Sequence, residues 1–270
     1  MNLTSEFLFD KFRIYDIDGY TKVRLGNKGD GGYVVLDELC QKTDVLYSYG
    51  VADDISFEQA FHTKYPQSKI RLFDHTVDGI PTSDPALTFK KEGLCYALDG
   101  SLPAKSVERH LEEFGETYDC RKTLKFDVEW SEWSTFDIYG ENQRVFHFFD
   151  QVICEFHILP ILYKDSHSPF FTELNKRVYS SANAAMFYKY QGVVEGFSNY
   201  FIPYHIHINN SLPLVEVDGF VMPQLVEVSM INRNLVGERK LAVGPFPDPL
   251  LDYPNKKDRP DILGFNWNHE

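Results

Sequence analysis

Carboxylates and imidazoles in this chain gather where β-prone runs stop. The run Thr123-Leu-Lys-Phe ends at Asp127, and Glu129, Trp130, Glu132 and Trp133 follow at once. Gln151-Val-Ile-Cys leads into Glu155 and His157, and Phe201 to Ile208 carries His205 and His207 before Asn209 and Asn210. Period-two alternation sets Glu155 and His157 on one face of their strand, and His205, His207 and Asn209 on one face of theirs. A carboxylate beside an imidazole can take a proton from a hydroxyl, and the same pair can hold a divalent cation. Each residue alone has a plainer use. Asp127 could cap a following helix, Trp130 and Trp133 could simply pack, and a single histidine could be a satisfied core group. Buried charge is costly unless paired or used, so their joint placement at strand ends points to a functional cleft.

A second group lies earlier. Asp44-Val-Leu-Tyr-Ser-Tyr is a strand-like run that stops at Gly50. Val51, Asp53 and Asp54 follow, and Ser56 opens a helical pattern. A strand that turns through glycine into a helix lets backbone N–H groups approach a nucleotide-type ligand. Asp74, with His75 beside it, ends the next strand-like run, Lys69-Ile-Arg-Leu-Phe. An acid there is placed to accept hydrogen bonds from ribose hydroxyls. No complete G-x-G-x-x-G is present, and an ordinary strand–turn–helix is the plain alternative. Asp30-Gly31-Gly32 is a tight-turn signal, for which a simple hairpin is the direct reading.

The elements that would position these residues alternate. Strands are expected at about 44–49, 69–73, 87–90, 94–97, 123–127 and 151–157. Helices are expected at about 56–65, from Ser101 or Ser106 to Phe114, at 132–149 and at 169–189. Two extended runs near 201–208 and 224–231 then suggest an antiparallel pair closing the sheet. The pattern predicts an α/β sandwich whose sheet is parallel except at one edge. The expected organisation is an N-terminal lead-in (1–43), the α/β domain (44–243) and a C-terminal surface tail (244–270).

With 270 residues, 43% hydrophobic, the chain can bury the core of one large domain. Its net charge of −13 argues against nucleic acid, where phosphate neutralisation needs basic patches, and against an anionic membrane. Cys40, Cys95, Cys120 and Cys154 show neither CxxC pairing nor regular spacing, so neither a disulfide framework nor a zinc knuckle is expected. No basic-then-apolar leader and no long apolar run is visible. A cytoplasmic location and a small-molecule partner are the expectations.

Taken together, these segments resemble S-adenosylmethionine-dependent methyltransferases, specifically the FkbM-like group and "methyltransferase-like" domain proteins. The matching stretches are Arg24-Leu-Gly…Asp30-Gly-Gly-Tyr33, Tyr47 to Glu58, Leu124 to Trp133, Val152 to His157 and His205 to Asn210. The resemblance implies a Rossmann-like three-layer sandwich with a mostly parallel seven-stranded sheet and an antiparallel last strand, S-adenosylmethionine as cofactor, contacts around Gly50 and Asp74 and an active-site floor near Asp127. The resulting cofactor-binding set is Asp30, Gly31, Gly50, Val51, Asp53, Asp74, His75 and Asp127. There are departures. The acid usual two residues before the first loop glycine is Ser48 here, and the second glycine is Ala52. The FkbM-like Asp-x-Glu-Gly segment reads Asp127-Val-Glu129-Trp130, with tryptophan in place of glycine. Asp30 or Asp53 would then supply the methionine-amine contact.

The catalytic set is His157, Asp127, Glu155 and His207, with His157 as base, Glu155 or Asp127 orienting it, and His207 as substrate contact or alternative base. The expected reaction is O-methylation of a small hydroxylated acceptor such as a sugar. A metal-free acid–base set is favoured over a divalent cation, because no segment shows a tight metal-ligand motif. Two other readings are an oxygenase or hydrolase whose metal is held by the carboxylate/His cluster, and an inactive cofactor-binding partner module.

Overall fold

The computed structural model describes residues 10–94, 103–116, 120–136, 141–158, 183–217, 220–265 and 267–268. Its strands are, in order, β1 (Tyr15–Ile17), β2 (Lys22–Gly26), β3 (Gly32–Leu36), β4 (Val45–Tyr49), β5 (Lys69–Phe73) and β6 (Leu87–Lys90). There follow β7 (Gly93–Leu94), β8 (Ala104–Lys105), β9 (Lys122–Phe126), β10 (Gln151–His157) and β11 (Phe201–Ile208). The last are β12 (Val215–Val217), β13 (Phe220–Met222), β14 (Leu225–Asn232) and β15 (Arg239–Leu241). The α-helices are α1 (Asp37–Cys40), α2 (Ser56–Lys64), α3 (Val107–Phe114), α4 (Glu132–Thr135) and α5 (Asn183–Tyr200).

Seven strands form the central sheet in the order β11-β14-β10-β9-β4-β5-β6. From β10 through β6 every pairing is parallel. Strand β14 is antiparallel to both β10 and β11. The last strand of the sheet is therefore the antiparallel one, and it is inserted one place in from the edge. The antiparallel last strand and the antiparallel pair at one end of the sheet agree with the expectation; the place of β14 one strand in from the edge is not part of it. That place means that the strand carrying His207 is not adjacent to the one carrying His157.

Strands β4, β9, β10 and β14 are buried along their whole length, as strands of a sheet covered on both faces must be. On one face, Phe126, Phe156, Phe136 and Phe146 pack around Phe197 of α5. On the other, Tyr33, Val35, Leu46, Phe57, Phe61, Ile70 and Ile153 form a second core that includes the β2–β3 hairpin and α2. The sequence signals that bound α3 are local. Ser106 caps α3 by accepting the Arg109 N–H, and Gly115 ends it in the left-handed region.

Several expected elements are shorter than their patterns suggested. The helical pattern at 132–149 resolves into α4 and a 3₁₀ segment, Glu141–Phe148. Most of the helix expected at 169–189 lies outside the described residues, and α5 runs on to Tyr200. Of the strand expected at 94–97, only Leu94 lies within the described residues. The link between β11 and β14 carries an unforeseen hairpin, β12–β13. Early and late described segments are tied together: β1 pairs with β15, and the Asn268 side chain bonds the Ile14 backbone. Among the described residues, no helix is long and apolar enough to cross a membrane.

Candidate functional site

The turn after β4 is built against the end of β9. Gly50 has φ +72°, and a Cβ there would overlap the carbonyl oxygen of Asp127. Only glycine allows this approach. The Lys125 ammonium reaches the Gly50 carbonyl at 3.3 Å, so the two strand ends are joined twice. Ala52, also at positive φ, donates its N–H to Asp74 at 2.8 Å. Asp74 further accepts the N–H and hydroxyl of Thr76. Burial pushes the Asp74 carboxyl up, but these hydrogen bonds outweigh it and hold it below the ordinary aspartate value. Asp74 thus stays ionised while fixing the loop, with acceptor capacity left over. His75 packs on Gly93, where a Cβ would meet its ring. Val51 is buried, and Asp53 is exposed on the loop.

The hairpin turn docks on the same loop. Gly31 lies against Asp54, Ser56 donates its hydroxyl to the Gly31 carbonyl, and Asn27 bonds Asp54 at 2.8 Å. Asp30 itself points outward, more than half exposed, near Lys256. Tyr33, on the strand that follows, brings its hydroxyl to 3.4 Å from Asp127 Oδ2.

Behind Gly50, Ser48 occupies the place where an acid was expected. Its hydroxyl donates to Glu58 Oε1 at 2.5 Å. Glu58 comes from α2, is 1% exposed, and its Oε2 has no hydrogen-bond partner. The carboxylate missing from β4 is therefore delivered from the helix. That contact pairs a strand residue with a helix residue ten positions on, which no motif in the sequence announced.

Beyond the ends of β9 and β10 lies the densest polar cluster. The His157 ring is 3% exposed. Its Nδ1 is 3.0 Å from Glu132 Oε1, and that oxygen also accepts the His157 backbone N–H at 2.9 Å. Its Nε2 faces three carboxylates: Glu129 at 3.2 Å, Glu155 at 3.6 Å and Asp127 at 4.0 Å. The Trp130 ring covers the imidazole at 5.2 Å. Glu129 and Trp130 both hold left-handed backbone, φ +48° and +80°. A tryptophan at such an angle costs of order 1–3 kcal/mol. This is the position where the FkbM-like segment carries glycine, and the strain folds Glu129 back over His157.

The electrostatics reflect this crowding. Burial pushes the Asp127 carboxyl up to about 6, against the pull of Lys125 and His157. Burial, then the Asp127 charge, drive Glu155 well above the ordinary range. Burial alone would lower His157, but its bonds to Glu129 and Glu132 and the surrounding charge drive it well up. The crowding of buried acids therefore favours the protonated forms of Glu155 and His157.

His207 is brought near this cluster without joining it. Glu155, Glu227 and His207 lie directly opposite one another across β10, β14 and β11. Glu227 takes His207 Nδ1 at 3.3 Å, and Asp261 of the tail takes Nε2 at 3.2 Å. His205 is likewise held by Asp252 at 2.8 Å. Asn209 closes the ladder by donating to Glu155 at 2.9 Å. Asp127, Glu155 and His157 converge, whereas His207 is committed to holding the C-terminal segment. Sequence reasoning noted Glu129 and Glu132 after their strand but gave them no role, and it did not single out Glu58 or Glu227.

A family model described as a methyltransferase domain matches residues 15–198. A search of curated proteins found no match. Among solved structures, the chain is similar to the precorrin-6y C5,15-methyltransferase of Geobacter metallireducens GS-15. The identity is 10% and the TM-score 0.32, over 72% of this chain and 86% of that one. A protein of Thermobifida fusca YX assigned as a methyltransferase is similar at 9% identity and TM-score 0.35, over 71% of this chain and 74% of that one.

Proposed function

This chain belongs to the methyltransferase family whose domain model spans residues 15–198, and from that membership we propose an S-adenosylmethionine-dependent O-methyltransferase acting on a small polyhydroxylated acceptor such as a sugar. The observation that supports it best is the shared wall between two sites. The glycine turn of β4 is pressed on the Asp127 carbonyl, and the same aspartate faces the His157 cluster. A donor held at the turn is thereby next to an acceptor held at the cluster.

The residues present suit this cofactor. Asp74 is an ionised acceptor at the end of β5 for ribose hydroxyls. The unpartnered Glu58 Oε2 behind Gly50 is a counter-charge for the methionine ammonium. When bound, the cofactor supplies a methyl group on a sulfonium. With the cofactor bound, its methyl group would replace the acceptor's hydroxyl proton, and that proton would pass to protein or water. The chain's part is positioning, which can supply about 7–11 kcal/mol of the barrier, and receipt of that proton. Asp127, Glu155 and His157 stand together at the strand ends where the proton would go, and Trp130 shields them from one side. His207, through Glu227, keeps the far end of the ladder in place.

The test is calorimetry with S-adenosylmethionine and transfer of labelled methyl to a panel of sugars and phenols. Binding in the micromolar range and label in a methyl ether of one hydroxylated acceptor are expected. Absence of cofactor binding would remove the reading, and transfer only to nitrogen or carbon acceptors would remove the O-methylation part.

A further inference from the structure

We propose that Asp127, Glu129 and His157 form a site for one divalent cation of the Mn²⁺ type at the carboxyl end of the sheet. One donor atom from each lies within 4.8 Å of the other two. Ligands about 2.0–2.6 Å from a shared ion stand roughly 3–5 Å apart, so only a small closing movement is needed. Glu129 can make it: its side chain is 82% exposed and hangs from a loop.

Two independent features point to an ion. The first is charge. His157 Nε2, on a ring 3% exposed, is directed at three carboxylates, and the hydrogen bond of the Lys125 ammonium goes to the Gly50 carbonyl although its charge acts on Asp127. The second is an orphan. Asp127 Oδ1 is enclosed and accepts no hydrogen bond. A buried carboxylate oxygen left without a donor is costly, and a cation would satisfy it.

The surrounding groups are arranged as a metal site's outer contacts are. Glu132 holds Nδ1, which leaves Nε2 as the ligand nitrogen. Glu155 lies 3.6 Å from Nε2 and is held by the Asn209 side chain. Two carboxylates with one imidazole suit Mn²⁺ better than the all-oxygen sites of Mg²⁺ or Ca²⁺. Three protein ligands leave positions open for an acceptor oxygen. That use of the ion rests on the O-methyltransferase reading; its binding does not.

The experiment is titration of chelator-stripped full-length chain with Mn²⁺ alone, read by electron paramagnetic resonance and calorimetry. One saturable site per chain is expected. Glu129→Gln, at an exposed position that leaves the fold intact, should weaken it by about tenfold or more. Asp127→Asn should do likewise, and Glu112→Gln, on the distant surface of α3, should leave affinity unchanged. No saturable binding in the wild type, or undiminished affinity in Glu129→Gln, overturns the site. Cofactor binding and methyl transfer are measured separately. A chain that binds Mn²⁺ but transfers no methyl keeps the site and loses the O-methylation reading; the reverse pattern loses only the site.

Discussion

A single oxygen of Glu132 takes both the backbone N–H of His157, at 2.9 Å, and its ring Nδ1, at 3.0 Å. Glu132 is wholly buried and sits in α4, one residue before Trp133, whose indole donates to the His157 carbonyl at 2.9 Å. The short helix thus clamps the end of β10 from three directions and sets the ring's orientation.

Removing one partner of such a buried pair strands the other. Glu132→Ala should cost about 3–5 kcal/mol of stability, read as a lowered urea midpoint. Glu132→Gln keeps an oxygen acceptor and should cost clearly less. Equal losses for the two variants would mean that the clamp acts by volume and not by its hydrogen bonds.

Much of the sheet is legible in the sequence because its strands are short apolar runs bounded by Gly, Pro and Asp. Strands β4, β5 and β10 fall where the pattern puts them; Gly50 and Asp74 follow β4 and β5 at once, and His157 ends β10. What local pattern does not encode is strand order. Nothing in Leu225 to Asn232 says that this strand inserts beside β10, so the place of Glu227 between Glu155 and His207 could not be read. The roles of Glu129 and Glu132 were hidden for a related reason. Both follow β9 in a segment whose left-handed turn is made by non-glycine residues, against local preference. Such a turn is held by tertiary contacts and leaves no signal in residue type. The tail's anchors, Asp252, Asn255 and Asp261, are polar residues in a Pro- and Asp-rich stretch, and only their partners on β11 and β14 distinguish them.

Gly50→Ala tests the wall between the two proposed sites. The new Cβ would strike the Asp127 carbonyl, and the left-handed φ of +72° adds strain. Both strand ends must shift apart. A loss of about 2–4 kcal/mol is expected, in the range of overpacking plus backbone strain. Cofactor affinity should fall with it. A variant with unchanged melting and unchanged cofactor binding would show that β4 and β9 are not in contact here.

Glu58→Gln addresses the counter-charge proposed for the methionine ammonium. The amide oxygen can still accept the Ser48 hydroxyl, so the local packing survives while the charge goes. S-adenosylmethionine affinity should drop about tenfold, some 1.4 kcal/mol, with little change in the urea midpoint. Calorimetry on the folded variant decides it. Wild-type affinity would leave Glu58 a structural partner of Ser48 alone.

His207 sets a pH dependence of stability separate from catalysis. Burial lowers its pKa, but bonds to Asp261 and Glu227, with the surrounding negative charge, raise it to about 10 from 6.5. The folded pKa lies above the unfolded one, so the stabilisation is complete below about pH 6.5 and is lost as pH rises toward 10. Across that window the folded chain holds up to one more proton, a slope of at most about 1.4 kcal/mol per pH unit. Urea midpoints of the wild type should therefore fall between about pH 7 and 9.5 more steeply than those of His207→Gln. The gap between the two proteins should narrow as the pH rises. Proteolysis should locate the weakening in the segment carrying Asp252 and Asp261, because His207 and His205 are what hold it to β11. A gap that stays constant with pH would mean that His207 is neutral in the folded chain and that its two carboxylate partners are held by other means.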